Sequence, residues 1–275
     1  MPQTSRRART YHPAAVRSAL AAEFTAIREQ LAGLTEDQLL LPTRLGDWTV
    51  RELAVHLGFA ADAVERALTA ARDTPPAGAA ARPLDLTGWV RGAAEAAQAI
   101  DETVRERAAG GAYDPVAAID HLLGQLPDLA GQESLLVPTR LGTLRLADFL
   151  VTRLVESVVH ADDLTAALQA ADPERPDFPH DRQALAAVVR LLADTLAEQA
   201  PGGSVELRIP PFAVVQCVEG PRHTRGTPPN VVETSPLVWV RLATGRLTWE
   251  DAVEVAELTA SGERSDLSAL LPVMA

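Results

Sequence analysis

The residues of this sequence best suited to metal chemistry are a glutamate and a histidine, Glu156 and His160, four positions apart in a predicted helix. Residues four apart lie on the same face of a helix, one turn above the other. The same face continues through Phe149 and Leu164 at steps of three or four residues, which indicates that it points inward. Because an unpaired carboxylate is costly to bury, the pattern predicts that a positive group meets Glu156.

Two kinds of positive partner for Glu156 stay open from the residues alone. Arg153, three residues earlier on the same face, could pair with the carboxylate. Alternatively, Glu156 and His160 could hold a divalent cation together with His56, which lies on the apolar stripe of another predicted helix. Two imidazoles and one carboxylate suit Zn²⁺, and also Fe²⁺ or other first-row metals. Three protein ligands leave one position open, as in catalytic sites, and Asp162 or Asp163 could orient His160 from behind.

The elements that must position these residues are helices, predicted at residues 13–34, 49–72, 86–107, 115–130 and 144–169. A short repeat, Pro-Thr-Arg-Leu-Gly at 42–46 and again at 138–142, precedes the two helices that carry Glu-x-x-x-His. In the first of these helices Glu52 is interpreted as a capping partner of Thr49, so it is left out of the ligand set. Helix pairs related in this way form a four-helix bundle, and such bundles build metal sites from facing helices.

The second half of the chain differs from the first in its residue pattern, and it begins with a proline-rich linker at 172–179. After it we predict a helix at 182–199, strands at 205–209, 213–218 and 236–242, a helix at 248–258, a turn at 261–262 and a closing helix at 267–271. The predicted fold is therefore multidomain. Residues 1–172 form a helical bundle, and residues 180–275 form a smaller α+β domain.

The composition of the chain argues against several classes of protein function. The 275 residues carry a formal net charge of -12, which argues against a general nucleic-acid coat, because such binding depends on Lys and Arg. The lone cysteine, Cys217, allows neither an internal disulfide nor a cysteine-based zinc site, and it is interpreted as a buried small hydrophobe. Since no apolar run is long enough to span a membrane, we expect a soluble, cytoplasmic protein. Monomer and homodimer both stay open.

Arginines in the second half are the candidates for contacting an anionic group. Arg222 and Arg225 lie in a Gly/Pro-rich loop at 220–230, and Arg246 lies in the segment Thr-Gly-Arg-Leu at 244–247. A loop of this kind could close over an anion, but a solvated turn fits it equally well. For Arg246 the ordinary interpretation is proximity to a helix start capped by Thr248.

Two long motifs resemble a known family. Leu45-Gly-Asp-Trp-Thr-Val-Arg-Glu-Leu-Ala-Val-His-Leu57 and Arg153-Leu-Val-Glu-Ser-Val-Val-His-Ala-Asp-Asp-Leu164 are similar to the mycothiol-dependent maleylpyruvate isomerase family, whose members contain a DinB-like metal-binding four-helix bundle. The resemblance covers about residues 13–170. The segments 242–252 and 261–267 resemble a bacterial sterol-carrier-protein-like domain, an α/β layer over an apolar pocket that accompanies this bundle.

The resemblance implies that His56, Glu156 and His160 are metal ligands, usually for zinc. The metal would bind the sulfur of mycothiol and favour its thiolate, which would add to a small electrophilic substrate, leading to cis–trans isomerisation or S-transfer. Arg246, or Arg222 and Arg225, would serve as the catalytic cations that hold an anionic substrate. A different function also fits the resemblance: a non-catalytic carrier that binds an apolar or lipid-like ligand in the C-terminal domain.

Overall fold

The structure is a computed structural model that describes residues 9–73, 83–220 and 228–274. A helical part is followed by a smaller part that combines helices with a sheet, which confirms the predicted fold class. The α-helices are α1 Pro13–Ala32, α2 Glu36–Leu39, α3 Val50–Asp73, α4 Leu86–Gly92, α5 Ala97–Gly110, α6 Pro115–Gln125, α7 Leu146–Ala171, α8 Arg182–Gln199, α9 Pro236–Ala243 and α10 Trp249–Glu254. The strands are β1 Leu136–Thr139, β2 Gly142–Arg145, β3 Val205–Ile209, β4 Ala213–Cys217, β5 Val231–Thr234 and β6 Leu258–Ser261.

The bundle consists of α1, α3, α6 and α7, each of which packs against two of the others. The helix predicted at 86–107 is broken: α4 and α5 are separated by a 3-10 turn at 93–96, and α5 packs on the outside of α3. Only Val104 of α5 is buried, so this alanine-rich segment has too little apolar surface to enter the bundle as a fifth member. At the start of α3 one half of the predicted capping box forms: the Glu52 carboxylate accepts a hydrogen bond from the Thr49 backbone N–H at 2.9 Å, and it also accepts from the Thr49 hydroxyl.

The repeated Thr-Arg-Leu-Gly segments share one local hydrogen bond in the turns that precede α3 and α7. In the first copy the Leu45 backbone N–H donates to the Thr43 hydroxyl at 3.1 Å, and in the second the Leu141 N–H donates to Thr139 at 3.2 Å. Each threonine hydroxyl in turn donates to a backbone carbonyl across the turn at 2.7 Å. The second copy is extended into an antiparallel hairpin, β1–β2, which the sequence pattern did not predict.

The second part is built on a four-stranded sheet in the order β4-β3-β5-β6. Strands β3 and β5 are parallel, and the other neighbours are antiparallel. The prediction of a strand at 236–242 was wrong, because this segment is α9, with Pro236 in its first turn. The turn predicted at 261–262 begins one residue later, because Ser261 ends β6 and the chain turns at Gly262, whose carbonyl accepts the Ser265 N–H at 3.3 Å. The apolar residues of α9 do not alternate with polar ones, and α8 packs against this helix. A short apolar run of this kind does not distinguish a strand from a buried helix.

One apolar core runs from α1 through α7 and α8 to the sheet. The segment before α8 is fixed to the bundle by a buried pair, in which His180 Nδ1 lies 2.6 Å from the Glu23 carboxylate. The second oxygen of Glu23 accepts the Asp181 backbone N–H at 2.8 Å. Among the described residues, no helix is both long and apolar enough to cross a bilayer.

The crossing of α3 and α6 depends on Gly58. A Cβ added there would lie 2.7 Å from Pro115 Cα, which is closer than real Cβ contacts come. We expect Gly58→Ala to lower the free energy of unfolding by about 1–3 kcal/mol, because the two helices must move apart. Urea unfolding followed by circular dichroism measures the change.

Gly124→Ala is the matched control, since its added Cβ on α6 meets nothing within 4 Å. Alanine should stabilise that helix by up to about 1 kcal/mol. Equal effects of the two substitutions would mean that Gly58 is not required by the helix crossing.

Candidate metal centre

Three side chains from two helices meet at one point inside the bundle. His56 is supplied by α3, and Glu156 and His160 are supplied by successive turns of α7. The Glu156 Oε2 atom lies 3.2 Å from His56 Nε2 and 3.5 Å from His160 Nε2. The two imidazole rings are nearly perpendicular, with centroids 4.4 Å apart. One ligand atom from each residue can therefore reach a common point.

The spacing of these atoms fits a small divalent cation. Zinc bound by nitrogen and oxygen at about 2.0–2.2 Å in tetrahedral geometry places neighbouring ligand atoms about 3.4 Å apart. The three candidate ligand atoms lie within 4.8 Å of one another, and two of the three separations match the tetrahedral value closely. The donor set of two imidazoles and one carboxylate also suits zinc or another first-row metal. The residues present therefore fit a three-ligand metal site.

The imidazoles have different surroundings. Burial, and then the positive charge on His160, lower the pKa of His56, which favours the neutral form that a metal needs. Trp48 lies against His56, with ring centroids 5.3 Å apart. His56 Nδ1 is buried without a hydrogen-bond partner in the described parts of the chain. The nitrogen of this ring that can bind a metal is therefore Nε2, which faces Glu156.

His160 is oriented from behind by Asp163, whose Oδ2 lies 2.9 Å from His160 Nδ1. Although burial opposes it, this hydrogen bond and the one to Glu156 raise the pKa of His160. Asp163 thereby keeps the proton on Nδ1 and leaves Nε2 as the atom that can accept a metal. Of the two acids considered from the sequence, Asp163 rather than Asp162 has the orienting contact.

Arg153 does not lock Glu156 away from a metal. Its Nη2 atom is 3.7 Å from Glu156 Oε1, beyond hydrogen-bond distance, while its Nε donates to the Thr152 hydroxyl at 3.1 Å. The guanidinium lies against the Phe149 ring, 4.9 Å from its centroid. Although burial raises it, hydrogen bonds from His160 and His56 hold the pKa of Glu156 well below its ordinary value, so the carboxylate is ionised.

A cluster of five charged residues lies directly behind His160. Arg246 and Arg44 both bond to Asp163, at 3.1 Å and 2.5 Å. Arg44 also reaches Asp162, which forms a second pair with Arg241 at 2.6 Å. Both aspartates belong to α7, Arg44 precedes α3, and the other two arginines come from the second part of the chain. The cluster therefore joins the two parts of the molecule at the back of the metal centre.

Two neighbouring cavities, named here inner and outer, border the candidate metal centre, and both are lined by His56 and Glu156. The inner cavity, about 410 Å³, lies between α3, α7, the α4–α5 segment and the β1–β2 turn. The outer cavity, about 330 Å³, is bounded by Trp48, His160 and the second part of the chain, including Arg246. The open position of a bound metal could thus be reached from either cavity.

Comparison with known families identifies the bundle. Residues 20–165 match the family model described as the mycothiol maleylpyruvate isomerase N-terminal domain, and this match spans more than half of the chain. The chain belongs to this family. Residues 181–273 match a second model, described as a bacterial SCP ortholog.

Solved structures agree with the family assignment at the level of the fold. Crystal structures described as the mycothiol-dependent maleylpyruvate isomerase, and as a histidine-to-alanine mutant of it, are each 17% identical to the chain. Each covers 94% of this chain and 95% of its own, with a TM-score of 0.54. A comparison with curated proteins finds no match.

In this member of the mycothiol maleylpyruvate isomerase family, the structure brings together the three predicted ligands, and Arg246 lies beside them. Its guanidinium is occupied by Asp163 and by the Thr244 carbonyl oxygen, which accepts from Nη1 at 2.7 Å. The catalytic role of Arg246 stays a prediction. Arg222 and Arg225, with most of the predicted loop at 220–230, lie outside the described residues.

The sequence analysis missed Arg44 and Arg241, which complete the cluster behind His160, and Arg66 and Arg140, which line the inner cavity. One signal was present for two of them. Arg44 and Arg140 occupy the same position in the two copies of the Thr-Arg-Leu-Gly repeat, so each could have been placed beside a Glu-x-x-x-His helix.

Asp163→Asn tests the orienting contact. Asparagine keeps the size of the side chain but weakens its hold on the Nδ1 proton of His160, and we expect zinc affinity to fall about 10- to 100-fold. Competition between the protein and a chromophoric chelator measures this affinity, and circular dichroism checks that the variant folds.

Asp172→Asn, an exposed acid just beyond the same helix, is the control and should leave zinc binding unchanged. Undiminished affinity in folded Asp163→Asn would mean that the contact does not prepare His160 for a metal.

Proposed function

We propose that the chain is a metal-dependent enzyme that uses mycothiol for cis–trans isomerisation of, or S-transfer to, a small electrophilic substrate. The observation that carries this proposal is the convergence of His56, Glu156 and His160 between two cavities, in a chain that belongs to the mycothiol maleylpyruvate isomerase family. Zinc is the metal that we propose, because it takes this donor set in tetrahedral sites with an open position. When bound, the ion would hold the mycothiol sulfur as a thiolate at neutral pH, able to add reversibly to an electrophilic carbon.

The residues of the chain divide the remaining work. His56, Glu156 and His160 fix three ligand atoms and leave the side facing the cavities free. Asp163 holds His160 in one tautomer, and Arg44 and Arg246 hold Asp163. Arg246 is thus proposed to act at this site by positioning Asp163 while its side chain faces the outer cavity.

The two cavities suit a reaction between two molecules. We assign the outer cavity, which combines polar groups from Asp101, Thr244 and Arg246, to the thiol. The inner cavity is assigned to the electrophile, because its walls are mainly apolar and would keep water from the reacting carbon. Holding both reactants against one point replaces a bimolecular encounter with a step inside a single complex.

A carrier function for the second part has less support. Alternate residues of β3 and β4 are buried on one face of the sheet, and they belong to the same apolar core as Leu192 of α8 and Trp239 of α9. The chain's own side chains therefore occupy the space over the sheet among the described residues, where a lipid-like ligand would need an opening.

Calorimetric titration with mycothiol tests the proposal. We expect the zinc-loaded protein to bind mycothiol, and zinc-loaded preparations of His160→Ala to bind at least tenfold more weakly, because one of three ligands is lost. Zinc content, measured on the same samples, separates loss of the metal from loss of thiol binding.

His121→Ala is the matched control, since His121 is exposed on α6 and lines neither cavity. It should bind mycothiol as the unsubstituted protein does. Equal mycothiol affinity in the zinc-loaded and zinc-free proteins would exclude a metal-bound thiol.

A further inference from the structure

Arg153 is a buried cation whose hydrogen-bonding capacity is largely unused. Its side chain is in the wall of the inner cavity, and the residue is only 9% exposed. A guanidinium has five N–H donors, yet in the described parts of the chain only Nε of Arg153 makes a hydrogen bond, to Thr152. The two terminal nitrogens have no partner there closer than the Glu156 carboxylate, 3.7 Å away. Buried charges are normally paired, so this arrangement is suited to an anion that enters the cavity.

The other walls of the inner cavity are mainly apolar, and two exposed arginine side chains lie at its edge. Its walls include Phe59, Trp89, Ile100 and Phe149 together with several alanines. At the rim, the Arg66 guanidinium stacks on Phe59, 3.9 Å from the ring centroid. The rim also carries Arg140, on the exposed turn between β1 and β2.

The charge balance of this cavity favours an anion. Three arginines line it, and among the described residues the only carboxylate in its lining is that of Glu156. Arg140 makes neither a hydrogen bond nor an ion pair within the described ranges, whereas Arg44, its counterpart in the repeat, is fully engaged by two aspartates. A metal at the centre would take up the Glu156 charge, which leaves Arg153 without a competing anion.

We propose that the inner cavity binds a carboxylic acid with an apolar body, whose carboxylate pairs with Arg153 and whose aryl or branched alkyl group fills the apolar walls. That this acid is the electrophilic substrate rests on the function proposed above. The planar fork of a guanidinium matches a carboxylate in a bidentate pair. A volume of about 410 Å³ lies in the range of cavities that enclose drug-sized ligands, so a compact diacid would leave much of the apolar wall uncovered.

The pairing also sets the position of the ligand. Arg153 precedes Glu156 by one helical turn on α7, and the two side chains border the same cavity. A carboxylate held by Arg153 therefore places the adjoining carbons of the acid beside the metal centre. Arg153 would act as a specificity-determining residue that selects anions over neutral electrophiles of the same shape.

Calorimetry of the zinc-loaded, full-length protein with unreactive probes tests the proposal. The probes are 4-phenylbutyrate, its uncharged amide 4-phenylbutanamide, and maleate as a compact diacid. We expect the acid to bind at least tenfold more tightly than the amide, because charged hydrogen bonds to a buried guanidinium add to the same apolar contacts. Maleate should bind more weakly than 4-phenylbutyrate.

Arg153→Gln should bring the affinities for acid and amide within about twofold while leaving amide affinity unchanged, which also reports that the cavity is intact. Arg153→Lys should retain part of the preference, since it keeps the charge but not the fork. Arg17→Gln removes a paired arginine that lines neither cavity and should retain all of it.

Three results would overturn the proposal: no binding of either phenyl probe, equal affinity for acid and amide in the unsubstituted protein, or a preference for the acid that survives in Arg153→Gln. The last would place the carboxylate on the metal. If circular dichroism shows that both Arg153 variants are unfolded, a crystal structure of the unsubstituted protein with 4-phenylbutyrate decides, because the carboxylate either bonds to Arg153 or lies elsewhere. Mycothiol titration of the same protein is independent, so a protein that prefers the acid but does not bind mycothiol would refute the proposed enzyme and retain this site.

Discussion

The candidate metal centre depends on one buried carboxylate, that of Asp163. It has no solvent exposure, and a lone charge in such a place would be unstable. Three partners compensate it: His160 from the same helix, Arg44 from the turn before α3, and Arg246 from the second part of the chain. Because this buried charge must be paired, its three ion pairs fix the positions of α7, the turn before α3 and the second part relative to one another. The contact that stabilises the assembled molecule is therefore also the contact that fixes the tautomer of a candidate ligand.

This arrangement explains why the site lies where the two parts of the chain meet. His56, Glu156 and His160 all belong to the bundle, but the outer cavity is closed by residues such as Thr244 and Arg246. The bundle alone could position three ligand atoms. The second part is needed to pair Asp162 and Asp163 and to give the outer side of the centre a wall. The inner side, in contrast, is walled by helices and the β1–β2 turn.

Much of this could be predicted from local patterns, and the remainder depends on contacts between distant residues. The period of apolar residues gave α8 at its observed bounds and placed Glu156 and His160 on one inward face. The same period did not predict α9, where apolar residues cover both faces of the helix. It also did not predict the break between α4 and α5, because alanines do not show which face is buried. Arg44 pairs with acids more than 100 positions later in the chain, a separation at which no spacing rule applies.

The two copies of the Thr-Arg-Leu-Gly repeat have the same sequence but different roles in the structure. In both copies of Thr-Arg-Leu-Gly the threonine hydroxyl accepts the leucine N–H two residues on, but it donates to the Trp48 carbonyl in the first copy and to the Gly142 carbonyl in the second. The arginines within them have different surroundings. Arg44 points at two buried aspartates of α7 and is held there, whereas Arg140 borders an apolar cavity and makes no ion pair among the described residues. The role of each arginine follows from its neighbours. Arg44 is held by ion pairs and stabilises the fold, whereas Arg140 faces the cavity that a ligand would enter.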